Sequence, residues 1–204
     1  MRIHGASRVS GADTIPKVVR AGGLAVSADT PGYSEMVKTG RVFSGGTAVT
    51  GVAPGTAIGT TAAFSLYTPV GSGYNLIILT AKLSYLSGTL GIGVVDWVAN
   101  TNVAAAATTG TAITAVNNLV GSSTAAVGRP LTTATLPAAP TLFDRFCNLP
   151  PILATSVVTP WVFAEVVDGR IIVIPGATMS LEGTAGAGTS PLVLYGISWF
   201  EELV

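Results

Sequence analysis

The chain has 204 residues with ten basic and ten acidic side chains, so only 10% of its residues are charged and its formal net charge is zero. An ordinary soluble domain carries about 25% charged residues, and a neutral chain is not a strongly basic nucleic-acid binder. Because 49% of the residues are hydrophobic, disorder along the whole chain is excluded. The length predicts one sandwich or barrel domain with an extension, and so little charge favours association with other proteins.

Residues that could carry chemistry are few and scattered. Cys147 is the only cysteine and His4 the only histidine, so an intramolecular disulfide is impossible and the thiol has no histidine base nearby. Two glycine-rich stretches, 88–93 and 183–188, lack the Lys-Ser/Thr of a phosphate-binding loop, and we interpret them as loops between strands. We therefore expect no enzymatic activity, no cofactor and no metal site.

Two uncharged runs are long enough to raise the question of a membrane. They cover residues 42–81 and 97–128, and polar residues, glycine or proline interrupt both every few positions. A membrane-spanning helix needs about 20 nearly continuous apolar residues. We expect neither a membrane nor a nucleic acid as partner.

The N-terminal residues 1–45 are predicted to form an extended arm before a domain of residues 46–204. Glycine and proline recur in the arm and break regular structure. Ordering such a segment costs about 1–2 kcal/mol per residue, and few large apolar residues are present to offset that cost. We expect the arm to order against another subunit. Six of the ten basic residues lie in its first 41 positions: Arg2, Arg8, Lys17, Arg20, Lys38 and Arg41.

From about residue 42 the pattern becomes that of β-strands. Strands are predicted at 62–67, 75–85 and 91–98, the first two antiparallel and joined by a loop at 68–73. The glycines at 91 and 93 indicate a bend or a close backbone approach. Residues 100–140 are expected to form a long loop with short strands near 112–116 and 125–129.

The C-terminal third carries the clearest strand signals. Residues 162–167 and 170–174 flank Asp168-Gly169, which predicts a hairpin with a type I′ turn. Strands at 177–182 and 191–200 follow. The last strand is apolar on both faces, which places it centrally or at a subunit interface. The predicted interface residues are Val193, Tyr195, Ile197 and Trp199.

These elements together predict an all-β protein. Eight to ten strands with regularly spaced turns and under a tenth of helix favour an antiparallel β-sandwich, jelly-roll-like, with an extended N-terminal arm. The tryptophans at 97 and 199 lie within apolar strand patterns and are expected in its core.

Several stretches of the chain resemble structural proteins of tailed-bacteriophage virions. They are residues 66–78, 87–91, 175–182 and 197–202. The last two also resemble the closing strands of trimeric jelly rolls of the tumour-necrosis-factor and complement type. The resemblance implies a virion protein on the capsid surface, foremost a capsid decoration (cement) protein. Such a protein forms homotrimers on the major capsid protein and uses terminal arms to bridge capsid subunits.

On this hypothesis the arm supplies the contacts with the capsid. The residues predicted to make them are Arg2, Ile3, Arg8, Ile15, Lys17, Val18, Val19, Arg20 and Leu24. Two alternatives stay open. One is a receptor-binding or tail-fibre head domain of a phage, and the other is a cellular carbohydrate-binding or adhesin module.

Overall fold

The computed structural model describes residues 33–101, 105–153, 161–185 and 188–204, together with the backbone of 17–18 and 24–25. The chain divides into two compact units, residues 1–35 and 36–204. In the first unit, strands β1 (Lys17–Val18) and β2 (Leu24–Ala25) pair antiparallel. A five-residue helix, α1 (Ser34–Lys38), comes next in the chain.

The second unit contains two antiparallel sheets. The strands of sheet I are β4 (Thr61–Tyr67), β6 (Gly93–Asn100), β7 (Thr111–Ala112), β9 (Arg129–Thr135), β10 (Thr141–Leu149) and β13 (Thr178–Gly183). The strands of sheet II are β3 (Val42–Gly46), β5 (Tyr74–Ser87), β8 (Val116–Asn117), β11 (Val162–Val166), β12 (Ile172–Val173) and β14 (Leu192–Leu203).

The order of these strands is that of a jelly roll. Sheet I runs β10-β6-β13-β4-β9-β7 and sheet II runs β11-β5-β14-β3-β8, with β12 also paired to β5. Eight strands remain when β9 and the two-residue strands are set aside. If these eight are numbered 1 to 8 in chain order, the order across sheet I is 5-4-7-2 and the order across sheet II is 6-3-8-1. This is the arrangement of two interlocked Greek keys. The predicted β-sandwich is confirmed.

The core lies between the two sheets and is built on aromatic side chains. Phe64 of sheet I stacks on Tyr195 of sheet II with ring centroids 5.7 Å apart, and Phe43 stacks on Trp199 at 6.0 Å. Trp97 is also buried there, as the sequence predicted for both strand tryptophans. Alternation along each strand directs these apolar side chains inward.

The outer face of sheet I is covered rather than solvated. Its residues include Ser65, Asp96, Ser180 and Glu182, all at most 2% exposed. The segment 53–60 binds β13, with the Gly183 amide donating to the Pro54 carbonyl at 2.8 Å. The segment 136–140 connects β9 near one edge with β10 at the other, so it crosses the sheet. The polar side chains on this outer face are therefore buried.

The predicted hairpin at 162–174 is wrong in its pairing and right in its turn. Asp168 and Gly169 have φ values of 49° and 78°, and the Arg170 amide donates to the Val167 carbonyl, as in a type I′ turn. However, β11 and β12 do not pair with each other, because both pair with β5. Val166 and Ile172 are six residues apart, whereas their partners on β5, Thr80 and Ile77, are three residues apart. The turn is thus a bulge in one edge strand, and the amides of Val167 and Gly169 hold it to β5 by donating to the carbonyls of Leu79 and Ile78.

Residues 141–149 form β10, which the sequence pattern did not predict, since two register shifts disrupt its alternation. The predicted boundary at 45/46 falls within β3, which pairs with β14, and the compact unit that contains both sheets begins at residue 36. Of the two short strands expected near 112–116 and 125–129, the first appears as β7 and β8, whereas β9 begins only at Arg129.

Candidate functional site

The sandwich has two ends, which the strand directions define. β3 and β5 begin and β14 finishes at the arm-side end, which carries residues 68–73, 118–128, 174–177 and 203–204. The opposite or far end carries residues 47–60, 88–92, 150–153 and 184–191.

The far end is closed by the two glycine-rich stretches, which pack on each other. A Cβ on Gly93 would lie 2.5 Å from the Cα of Ala185, and one on Gly188 would lie 2.0 Å from the carbonyl oxygen of Thr89. The Thr89 amide donates to the Thr189 carbonyl at 3.0 Å. The glycines therefore allow backbone to pack on backbone, in agreement with their interpretation as loops between strands.

A chain of polar contacts joins the two sheets along one side edge. Trp97 Nε1 donates to Glu165 Oε2 at 2.8 Å, Arg170 binds Glu165 Oε1, and Arg170 Nη1 binds Asp144 Oδ2 at 3.0 Å. Asp144 lies on β10 and Glu165 on β11, the edge strands of the two sheets. These three charged residues thus close the sandwich, and Glu165 is the least exposed of them at 18%.

Two carboxylates lie on the covered face of sheet I. Asp96 is buried and binds Arg145 Nη1 through both oxygens at 2.8 Å. Glu182 accepts a hydrogen bond from the Gly59 amide at 2.8 Å, and its Oε1 is buried without a partner. Burial raises the pKa of Glu182 to about 7, although the Gly59 hydrogen bond opposes that rise. Glu182 holds the segment 53–60 against the sheet.

The lone cysteine is not set up as a nucleophile. Burial raises the pKa of the Cys147 thiol to about 12, and the Asp96 and Glu165 charges act in the same direction. At neutral pH the thiol therefore stays protonated, and only a thiolate is reactive. Burial likewise raises the pKa of Tyr195, whose hydroxyl has no hydrogen-bond partner. Cys147 packs against the core as a small apolar residue.

A buried carboxylate fixes the loop that leads from β8 to β9. Glu201 is 3% exposed and accepts hydrogen bonds from the amides of Val127 and Gly128 at 2.9 and 2.8 Å and from Trp199 Nε1 at 3.1 Å. Gly128 lies so close to the indole that a Cβ there would be 2.8 Å from Nε1. The second half of this loop is thereby tied to β14.

The first half of the same loop presents two apolar side chains. Leu119 is 39% exposed and Val120 93% exposed. Asn117 braces them, donating from Nδ2 to the Gly40 carbonyl and accepting from the Leu119 amide, each at 2.8 Å. The Ser122 amide donates to the Leu119 carbonyl at 2.9 Å and closes the turn. Sequence analysis predicted a long loop that includes both positions but did not single them out. Two apolar residues directly after two asparagines were the sequence signal that could have indicated them.

Exposed apolar side chains concentrate at and beside the arm-side end. The far end carries Val49, Leu86, Ile92 and Leu153. Val162 and Val166 lie along β11. The residues at or next to the arm-side end are Val70, Leu119, Val120, Leu142, Phe143, Ile172, Ile174, Leu203 and Val204.

Described residues of the sandwich line three shallow grooves. One of about 250 Å³ lies beside the arm-side end, between Phe143, Ile174 and Met179. The other two, of about 480 and 540 Å³, lie along residues 111–114 and 148–151. The described residues that line all three are apolar or carry neutral hydroxyl and amide groups. The grooves therefore offer shape and apolar contact rather than acid–base chemistry.

The predicted subunit-interface residues occupy the core of a single chain. Val193, Tyr195, Ile197 and Trp199 are 0–3% exposed, so they have no further surface to bury against another protomer. The outward residues of β14, such as Leu194 and Phe200, are half-buried. The predicted capsid contacts of the arm lie outside the described residues, apart from the backbone of Lys17, Val18 and Leu24.

Comparison with known proteins gives no relative: no family model, curated protein or solved structure matches the chain. Over the ranges that the structure describes, no helix is long and apolar enough to cross a membrane. The same ranges hold no group of three or more His, Cys, Asp or Glu side chains that could bind a metal ion.

Proposed function

We propose that this protein is a non-enzymatic structural protein of a bacteriophage virion, a decoration protein that binds the outer surface of the capsid as a homotrimer. The observation that carries the proposal is the small number of charged side chains on the surface of the sandwich. Residues 36–204 contain only thirteen charged side chains, and three of them, Asp96, Glu182 and Glu201, are at most 3% exposed.

The surface left to solvent is consequently poor in charge and rich in apolar side chains. A chain without strong net charge is prone to associate, and large exposed apolar residues are typical of surfaces that bind other proteins. The N-terminal 41 residues hold six basic and three acidic side chains, leaving a charge of −3 on the remainder. A cationic arm on a jelly-roll body suits attachment to an acidic protein shell.

The proposal is tested with capsids assembled without this protein. Purified full-length protein should bind them to saturation in a copy number that is a multiple of three, and should raise their resistance to heat. Light scattering of the free protein should give a mass of about 61.5 kDa, three times 20.5 kDa. Absence from capsids together with recovery in detached tails or on host cells would favour the receptor-binding alternative instead.

A further inference from the structure

Val120 is the most exposed large apolar side chain among the described residues, at 93%. It lies on a rigid support, because side-chain and backbone hydrogen bonds from Asn117 and Ser122 fix the turn on which it stands. Gly121 makes the turn possible with a φ of 94°. An apolar side chain on a turn that is already fixed needs no ordering of the loop when it binds, which suits an anchor residue at an interface.

The support of Val120 is continuous with the point where the arm joins the sandwich. The Asn118 amide donates to the Val42 carbonyl at 2.8 Å, and Asn117 Nδ2 donates to the Gly40 carbonyl. A Cβ on Gly40 would lie 3.9 Å from Leu119 Cδ2. The 35 residues of the first unit therefore connect to the sandwich at the foot of this loop.

The rest of the arm-side end continues the apolar surface. The Val204 amide donates to the Gly73 carbonyl, which places the C-terminus beside the loop that carries Val70. The Gly176 amide donates to the Thr68 carbonyl, which places Ile174 on the other side of that loop. The strand order β12, β5, β14, β3 and β8 sets these segments side by side. Val70, Ile174 and Val204 are 56%, 51% and 77% exposed.

Among the described residues at this end, basic side chains outnumber acidic ones by three to two. Lys38 and Arg129 are exposed, and Arg41 lies over the ring of Tyr74 at 5.7 Å. Against these three basic residues, the described acidic residues outside the core at this end are Glu35 and Glu202. An apolar centre with basic surroundings fits an apolar pocket that has an acidic rim.

We propose that the arm-side end is the face with which the sandwich docks on the capsid shell, and that Val120 inserts into an apolar, acid-rimmed pocket of the shell protein. This inference rests on the proposed function and adds to it the orientation of the bound protein and the residue that anchors it. The far end then points away from the shell.

The test compares two variants of the full-length protein that place the same charge at opposite ends. Val120→Asp alters the arm-side end. Val49→Asp is the matched control, because Val49 is 86% exposed and lies in the 47–60 segment of the far end. Both side chains stand in solvent, so both variants should keep the wild-type circular dichroism spectrum and melting temperature. Binding is measured on capsids assembled without this protein.

Val120→Asp should weaken capsid binding by at least about tenfold, the effect of losing one anchor residue, whereas Val49→Asp should bind like the wild type. Equal binding by both variants, or a loss with Val49→Asp alone, would overturn the orientation while leaving the proposed function standing. A wild-type protein that does not bind capsids would overturn the proposed function and this inference with it. Dissociation of the free trimer by Val120→Asp would show that a second copy, not the shell, occupies this surface.

Discussion

Glu182 lies directly opposite Asp96 across the antiparallel pair of β13 and β6, and both carboxyl groups are buried on the covered face of sheet I. Arg145 binds Asp96, whereas Glu182 has only the Gly59 amide and one oxygen without a partner. Two neighbouring carboxyl groups therefore differ in how well their charges are compensated. Glu182 should therefore make the stability of the protein depend on pH.

The pKa of Glu182 rises from an ordinary 4.5 to about 7 in the folded protein. Between these values the folded state keeps a proton that the unfolded state has released, so the free energy of unfolding should fall as pH rises and level off above 7. Glu182→Gln should remove this fall, with a gain over the wild type at pH 8 of at most about 3 kcal/mol. Urea unfolding at pH 5 and pH 8 measures it. Glu202→Gln, at an exposed site, should follow the wild type.

Glu201→Ala should destabilise the protein, because the amides of Val127 and Gly128 and the indole of Trp199 lose their acceptor in a buried place. We expect a loss of roughly 2–4 kcal/mol in the free energy of unfolding, since buried donors without partners are costly. Glu202→Ala is the matched control at the next, exposed position and should change stability by less than about 0.5 kcal/mol. Equal stability of the two variants would contradict the role of Glu201.

Gly93→Ala should be strongly destabilising, because the new methyl group would lie 2.5 Å from the backbone of Ala185. Backbone cannot move aside as a flexible side chain can, and we expect a cost above about 2 kcal/mol. Gly59→Ala has nothing within 4 Å of the new Cβ and keeps its amide, so it should be close to neutral. Thermal unfolding of both variants compares them, and a neutral Gly93→Ala would mean that the two glycine-rich loops do not pack closely.

Deletion of residues 1–35 should leave a folded sandwich, because residues 36–204 form a compact unit that contains every strand of both sheets. On the proposed function, the truncated protein should bind capsids much more weakly than the full chain. The difference should shrink as salt rises, since exposed charges are screened. Circular dichroism checks the fold and sedimentation with capsids checks the binding. Undiminished binding would leave the sandwich as the only attachment site.

Local sequence patterns predicted most strands of the fold. Alternation located β4, β5, β6, β13 and β14, and the Asp168-Gly169 dipeptide located a turn with two positive φ values. Alternation failed at β10, where register shifts after Leu142 and Arg145 rotate the side chains out of phase. It also assigned Val193 and Trp199 to a subunit interface, because an apolar face looks the same whether it meets its own second sheet or another chain.

The sequence by itself determined that the protein is all-β and poor in charge. It also determined that the N-terminal segment differs from the rest in its glycine, proline and basic residues. These properties follow from composition and short-range periodicity. Only the tertiary structure decided which strands pair, which carboxyl groups are buried, and that Val120 stands in solvent beside the entry of the arm. Those properties depend on contacts between residues far apart in the chain. Glu201 meets Gly128 across 73 positions, a separation over which local preference carries no information.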